Sequence, residues 1–284
     1  MLPVRQPLQS AVLIVRFNMV VTDMTRFLKK LNLRTKAKRK KTMSYNTFAK
    51  FYDKLTENVE YKKRADYISS FFKKYADKCD TVLDLACGTG SVSEYLSDLG
   101  YNVIGLDLSD EMLTVASSKQ IKNTMFIKGD MTDFELPHKV DCCVCSLDSI
   151  NHLKDIVEVK KCFDCVYNSL NDGGVFVFDV NTVYKHKNVL GNNTFVFDEE
   201  DFFLSWDNEY LGDNTVRILL DFFVYNGKNY DRFSEEFNEK AYSVNELKSV
   251  LNNFNIIGIY DELNLDDIKD NSERIYFVLK KGDN

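Results

Sequence analysis

A chain of 284 residues, 44% of them hydrophobic and 13% aromatic with only 3 prolines, has the material for a sizeable globular core and is too apolar to stay unfolded. Its most apolar run, "AVLIVRFNMVV" from Ala11, is broken by Arg16 and is far shorter than the roughly 20 residues that a bilayer span requires. Charge is uneven: 11 Lys or Arg against Asp23 alone make residues 1–43 net +10, so the total of −6 leaves −16 for residues 44–284.

That apolar run also lacks the basic start, unbroken centre and small-residue cleavage site of a secretory signal. The 7 cysteines, an odd number set in elements that read as internal, are taken as free thiols. Both features favour a cytoplasmic protein without a membrane partner. "CCVC" at 142–145 and "CFDC" at 162–165 fall in a strand and a helix pattern with no His at ligand spacing, so no metal site is read from them. The basic run "KKLNLRTKAKRKK" could bind nucleic acid or an anionic surface, but reads first as a solvated, disordered arm. Met43 directly precedes the folded pattern, which makes an internal start there one reading of the extension.

From Ser44 the pattern becomes regular. "SYNTFAKFYDKL" sets Tyr45, Phe48, Tyr52 and Leu55 along one helical face, and a second helix is expected over about residues 60–75. "TVLDLA" reads as the first strand, followed by a helix over about residues 91–99. "YNVIGLDL" reads as the second strand, with Ser109 or Asp110 capping a helix that carries Met112, Leu113 and Ala116. A short strand at about residues 125–128 precedes "VDCCVCSL", a fourth strand. A helix over about residues 155–170 is expected to stop at "NDGG", and "GVFVFDV" follows as a fifth strand. This alternation implies a parallel sheet covered on both faces, with its ligand beyond the carboxyl ends of the strands.

After Asn181 the rhythm changes to aromatic β runs, "TFVF", "FFLSW" and "VRILLDFFVY", with Asn226-Gly227 suited to a type I′ hairpin turn. Antiparallel strands forming a lid-like insertion are expected over residues 194–238. "SVNE" is a capping box for a helix with Leu247, Val250 and Leu251 inward, and "NIIGIYDEL" and "RIYFVLK" close the chain as two more strands.

The chemistry gathers in "VLDLACGTG", residues 82–90: an acid near the end of the first strand, then Gly88 and Gly90 where backbone can approach a ligand without Cβ atoms in the way. A dinucleotide fingerprint would have a third small residue at Ser93, and a pyrophosphate would not favour Asp84 beside it. Asp107 ends the second strand, "GDM" with Asp130 follows the third, and "SLDSINHL" follows the fourth. All four groups lie at strand carboxyl ends.

The ordered set "LDLACGTG", "VIGLDLS", "GDMTDF" and "CSLDSINHL" resembles the class I S-adenosylmethionine-dependent methyltransferases over about residues 44–284. The leading "YNTFAKFYDKL" and the antiparallel insertion are similar to bacterial small-molecule enzymes that include nucleotide-sugar amino N,N-dimethyltransferases. Ala86 departs from the commonest glycine pattern while remaining small enough for the turn. The resemblance implies an α/β, Rossmann-like sheet of seven mostly parallel strands with the last antiparallel, helices on both faces and an antiparallel β insertion. It implies S-adenosyl-L-methionine as cofactor and a small-molecule methyl acceptor, an amine in preference to a hydroxyl.

By the same resemblance Asp107 would accept from both ribose hydroxyls, and Asp84 with the backbone from Ala86 through Cys87 and Gly88 to Gly90 would hold the cationic methionine end. Asp130 would accept from the adenine amino group, with Leu108, Met112 and Met131 on the ring. Ser146 and Leu147 would lie near the sulfonium. His152 is the candidate base or acceptor-orienting group because it follows the fourth strand and titrates in the useful range; His138 and His186 read as less well placed. Tyr45 and Tyr52 are expected to line the site, whereas Tyr61 and Trp206 default to packing. Methylation of tRNA or protein through the basic arm is an alternative that the acidic domain opposes, because nucleic-acid binding draws on phosphate neutralisation. A non-catalytic S-adenosylmethionine-binding protein is a third reading.

Overall fold

The computed structural model describes residues 46–200, 202–251 and 253–282. Tyr45 and the basic extension at 1–43 lie outside the described residues. Two helices, α1 (Asn46–Leu55) and α2 (Tyr61–Tyr75), lead into β1 (Thr81–Leu85), α3 (Ser91–Asp98), β2 (Asn102–Asp107), α4 (Asp110–Ser118), β3 (Thr124–Lys128) and β4 (Val140–Cys145). A 3-10 turn (Ser149–His152), α5 (Ile156–Ser169), β5 (Leu170–Asn181) and a π-helical turn (Lys185–Leu190) follow. The insertion comprises β6 (Thr194–Asp198), β7 (Phe202–Gly212), β8 (Thr215–Tyr225) and β9 (Tyr230–Lys240); α6 (Val244–Ser249), β10 (Phe254–Asp261) and β11 (Arg274–Lys281) complete the chain.

The main sheet has seven strands in the order β10-β11-β5-β4-β1-β2-β3. β1, β2, β3, β4 and β5 pair in parallel, and β11 runs antiparallel between β5 and β10. Strand alternation explains why "VDCCVC" is buried at every residue. Leu83, Leu85, Cys143, Cys145, Phe176 and Phe178 point to the face covered by α5 and α6. Val82, Val103, Cys142, Val144, Val175 and Val177 point to the face covered by α2 and α3. Five of the seven cysteines are buried, Cys79 and Cys165 are partly exposed, and all seven are free. Among the described residues no helix is long and apolar enough to cross a membrane.

Local signals operate largely as the sequence suggests. Ser109 caps α4 by accepting from Met112 N, Asp155 caps α5 by accepting from Val157 N and Glu158 N, and Ser243 with Glu246 forms the capping box of α6. α5 does stop just before "NDGG", but that segment lies within β5 and forms no loop. Asp141 draws it onto the sheet by accepting from Asn171 Nδ2 at 2.9 Å, and the β4–β5 register shifts to absorb the extra residues.

The four-stranded insertion, ordered β6-β7-β8-β9, reaches Lys240, slightly beyond its expected end. The tight two-residue turn is Asp213-Asn214, with φ of 48° and 57°, between β7 and β8. Asn226-Gly227 instead opens a four-residue loop, because the Asn226 carboxamide oxygen accepts from both Lys228 N and Asn229 N and stabilises a wider turn. The inner face of the insertion buries Phe202, Leu204, Val216, Ile218, Leu220 and Phe222, with Phe51 and Leu55 of α1 packed against them. Trp206 belongs to this sheet, beside Phe195 and Phe197, and donates its Nε1–H to Asn208 at 2.8 Å.

The parallel register sets the strand exits level. Leu85 pairs with Leu106, Asp84 with Val144, and Cys145 with Phe178. The next residues, Ala86, Asp107, Ser146 and Asp179, therefore form one row along the carboxyl edge. Gly90 closes the turn after β1 at φ +78°, and a Cβ there would stand 2.8 Å from the Phe126 ring. Gly90→Ala is expected to lower unfolding stability by about 1–3 kcal/mol through left-handed strain and overpacking. Urea titration followed by circular dichroism measures the loss.

Candidate functional site

A narrow cavity of about 40 Å³ opens at that row. Tyr52, Tyr61, Asp84, Ala86, Cys87 and Gly88 line one part, and Ser146, Leu147 and Ser149 line another. A larger hollow of about 840 Å³ lies among Glu57, Lys62, Lys63, Asp66 and Glu94 on the helical side. It is broadly open and none of the strand-end acids lines it, so the smaller cavity is the candidate site. Small-molecule sites commonly occupy about 300–1,000 Å³. A ligand of that size would need a wider opening than this cavity has, and Tyr52 and Tyr61 of α1 and α2 stand on its wall.

The turn after β1 is held from both sides. Cys87 N donates to Leu106 O at 3.0 Å, and Gly88 N donates to Asp107 Oδ2 at 2.8 Å. The other Asp107 oxygen accepts from Ser109 N at 2.9 Å. Ala86 takes the left-handed φ of 58° that a glycine would adopt more easily. Asp84 is buried and accepts from Ser93 Oγ at 2.5 Å. Burial, opposed by the Ser93 bonds and reinforced by Asp107, pushes its pKa up to about 7. Burial also raises the Cys87 thiol, which makes this cysteine a poor nucleophile.

α1 reaches the turn through a residue the sequence reading missed. Asp53 accepts from Thr89 Oγ1 at 2.5 Å and Ser91 Oγ at 3.1 Å, and pairs with Lys119 at 2.7 Å. Tyr52, one residue earlier, lines the cavity.

The turn after β4 is built by another unread residue, Asp179 of β5. Its fully buried carboxylate accepts from Ser146 Oγ at 3.1 Å, Leu147 N at 2.8 Å and Asp148 N at 2.8 Å. Leu147 and Asp148 both take left-handed φ, 57° and 53°. Arg274 of β11 pairs with Asp179 and, at 2.5 Å, with Asp148. Behind it Glu262 lies 3.6 Å from Arg274 Nε and 2.5 Å from Arg64, whose Nη1 donates to Tyr276 at 2.5 Å. Burial alone would raise the Asp148 pKa, but Arg274 and Lys185 hold it at about 2. An acid ending the fifth strand, in "FDV", was the available signal for Asp179.

Other candidate residues are more peripheral. Leu108 is 64% exposed at the β2 exit, and Met112 is half-buried on α4. Asp130 is exposed and uses Oδ1 to accept from Thr132 N and Oγ1, both at 2.8 Å. Met131 packs against the main core. His152 stands one 3-10 turn beyond Ser149, its ring 5.3 Å from Phe237 of β9. Its side chain is 47% open, and partial burial lowers its pKa, opposed by Asp148 and Asp107. His186, contrary to the sequence reading, is brought near: it and His152 flank buried Glu239 of β9. A charged residue in register with the inward aromatics of β9 was the available signal for Glu239.

A family model described as a methyltransferase domain matches residues 82–174. The chain is 31% identical over 247 residues to YqeM of Bacillus subtilis, named as a methyltransferase, spanning 84% of this chain and 98% of that one. A crystal structure of an S-adenosylmethionine-dependent methyltransferase from Clostridium acetobutylicum is 37% identical, with a TM-score of 0.76 over 84% of this chain and 99% of its own. A Streptomyces venezuelae dTDP-3-amino-3,4,6-trideoxy-alpha-D-glucopyranose N,N-dimethyltransferase is 31% identical over 125 residues, 44% of this chain and 52% of that protein. The chain belongs to the S-adenosylmethionine-dependent methyltransferases, with their Rossmann-like class I sheet.

Asp179→Asn removes the charge that Arg274 faces and turns an amide N–H toward backbone donors. Breaking one side of a buried ion pair is expected to lower stability by about 3–5 kcal/mol. The shift in urea unfolding midpoint checks it; a change below about 1 kcal/mol would deny Asp179 this role.

Proposed function

We propose that the chain methylates a small molecule, an amine in preference to a hydroxyl, between the glycine turn and β9. One observation carries this reading: a single cavity joins Asp84 and Gly88 to Ser146 and Leu147, with a titratable imidazole just beyond. Residues 44–284 form the catalytic domain in this reading, and the insertion covers the acceptor.

The residues fit an adenosine-bearing cofactor. A Cβ at Gly88 would enter open space, so the cleft approaches bare backbone there. Each Asp107 oxygen spends one lone pair on an amide and retains another for a ribose hydroxyl. Asp84, with backbone from Ala86 to Gly90, would take the ammonium of the methionine end. Leu108, Met112 and Met131 would flank the adenine, and the Asp130 oxygen not used by Thr132 would accept from its amino group. Ser146 and Leu147 would border the sulfonium, under Tyr52. Bound there, S-adenosylmethionine supplies a methyl group on a sulfonium, an electrophile that needs an aligned lone pair. Alignment and exclusion of water are the protein's main tasks, contributing up to about 7–11 kcal/mol in favourable cases.

In this reading the acceptor enters as a cation drawn to acids. Asp148 stays ionised, while Glu235 of β9 is raised by burial and by Glu111, a like charge. An ammonium relieves such repulsion and must then lose a proton, for which His152 is the proposed base. The Streptomyces venezuelae relative is named as an N,N-dimethyltransferase of an amino sugar, which supports the same acceptor class.

Three measurements test this reading. Calorimetry with adenosylhomocysteine should show Asp107→Ala binding about 10- to 100-fold more weakly, from the loss of charge-assisted bonds of roughly 1.5–3 kcal/mol. Because Asp84 must ionise to receive an ammonium and sits near pH 7, affinity should fall about eightfold from pH 7.5 to 6, and Asp84→Asn should flatten this dependence. His152→Ala should reduce turnover of a nucleotide-linked amino sugar about 10²- to 10⁴-fold. Faster turnover of the matching hydroxyl sugar would reject the amine preference.

A further inference from the structure

β9 turns alternate side chains inward. Phe233, Glu235, Phe237 and Glu239 are half-buried or buried, while Ser234, Glu236 and Asn238 are exposed. Glu239, with 7% of its side chain exposed, faces two imidazoles. Its Oε1 lies 3.7 Å from His152 Nε2, and its Oε2 lies 3.8 Å from His186 Nε2.

The proton on His186 is fixed by its surroundings. The ring is fully buried, and Nδ1 lies 2.9 Å from the backbone carbonyl of Asn214. A carbonyl only accepts, so Nδ1 carries the hydrogen and Nε2 of the neutral ring is a bare lone pair. Among the described residues no hydrogen bond reaches that Nε2. The group facing it is Glu239, and only a protonated carboxyl can donate.

Burial and Asp148 raise the Glu239 pKa to about 8, against Lys185, Arg274 and a hydrogen bond from Asn181. These groups, with His152 and His186, are the titratable and charged neighbours: Asp148 from the β4 exit, His152 from the 3-10 turn, Lys185 and His186 from the π-helical turn, and Arg274 from β11.

Resting on the amine-acceptor reading, we propose that Glu239 is a positioning residue: as a neutral acid it donates toward His186 Nε2, accepts the Nε2 proton of His152, and leaves His152 Nδ1 as the base. The acceptor ammonium then breaks one N–H bond. Its proton bonds to His152 Nδ1, the electron pair remains on the acceptor nitrogen, and the resulting imidazolium is stabilised by Asp148 and Asp107. Both separations exceed hydrogen-bond length, and catalytic hydrogen bonds are often long before substrate binds. Phe237 against the His152 ring resists its turning over.

The chain has 3 histidines, so ring-nitrogen NMR can follow each one in the full chain without an acceptor. At pH 7 the wild type should show His152 protonated at Nε2 and His186 at Nδ1. Glu239→Gln, which keeps an acceptor and a donor in the same places, should preserve both tautomers and remove an inflection near pH 8 from both rings. Glu239→Ala should mix the two tautomers of His152. A wild-type His152 protonated at Nδ1, or a pH 8 inflection that survives in Glu239→Gln, would overturn the proposal even if the alanine variant does not fold. Preferential turnover of a hydroxyl sugar with these tautomers intact would reject the amine reading while leaving the assigned protons in place.

Discussion

The carboxylate of Asp179 is the constraint on which the candidate site depends. It has no access to water, so its charge must be met by fixed donors, and those donors are the exit of β4 and the guanidinium of Arg274. Meeting them pulls Leu147 and Asp148 into left-handed backbone and turns Ser146 and Leu147 toward the glycine loop. Arg274 in turn draws in Asp148, Glu262 and, through Glu262, Arg64 of α2. A chain of alternating charges thus runs from the leading helices to the last strand behind the cleft.

The two halves of the site use acids differently. On the β1–β2 side, Asp84 is buried with a hydroxyl partner and, among the described residues, no paired cation, and its pKa is pushed up to about 7. On the β4 side, Asp148 is held ionised by Arg274 and Lys185. Glu239 is buried between imidazoles and prefers its proton. Carboxyl groups of one cleft thereby acquire separate tasks from their partners. α1 ties this chemistry to the insertion: Asp53 grips the glycine turn, while Phe51, two residues before, packs 5.6 Å from Phe202. Movement of Tyr52 away from the cavity would therefore be felt in the covering sheet.

Much of the sheet was legible because its signals are local. Strands such as "VDCCVC" announce burial on both faces, and Ser109 and Ser243 announce helix starts. The particular hairpin turn was not, since Asn226 had two backbone donors within reach and opened the loop, leaving Asp213-Asn214 to make the tight one. Tertiary pairings were hidden for a different reason. Asp179 meets Arg274 across 95 residues, and Glu239 meets His152 and His186 only once β9 folds over the edge. Cys87, Gly88, Ser146 and Leu147 come together as anticipated, whereas Asp130 is occupied with its own turn and Trp206 with the insertion.

The central claim is that one adenosine-bearing sulfonium ligand spans the exits of β1, β2 and β4. A crystal structure with adenosylhomocysteine bound tests it most directly. Ribose hydroxyls are expected on Asp107, the amino-acid end against Asp84 and the Gly88 backbone, and the sulfur beside Ser146 and Leu147 with Tyr52 over it. Density for the ligand in the outer hollow among Glu57, Lys62 and Glu94, with the strand exits unchanged, would contradict it.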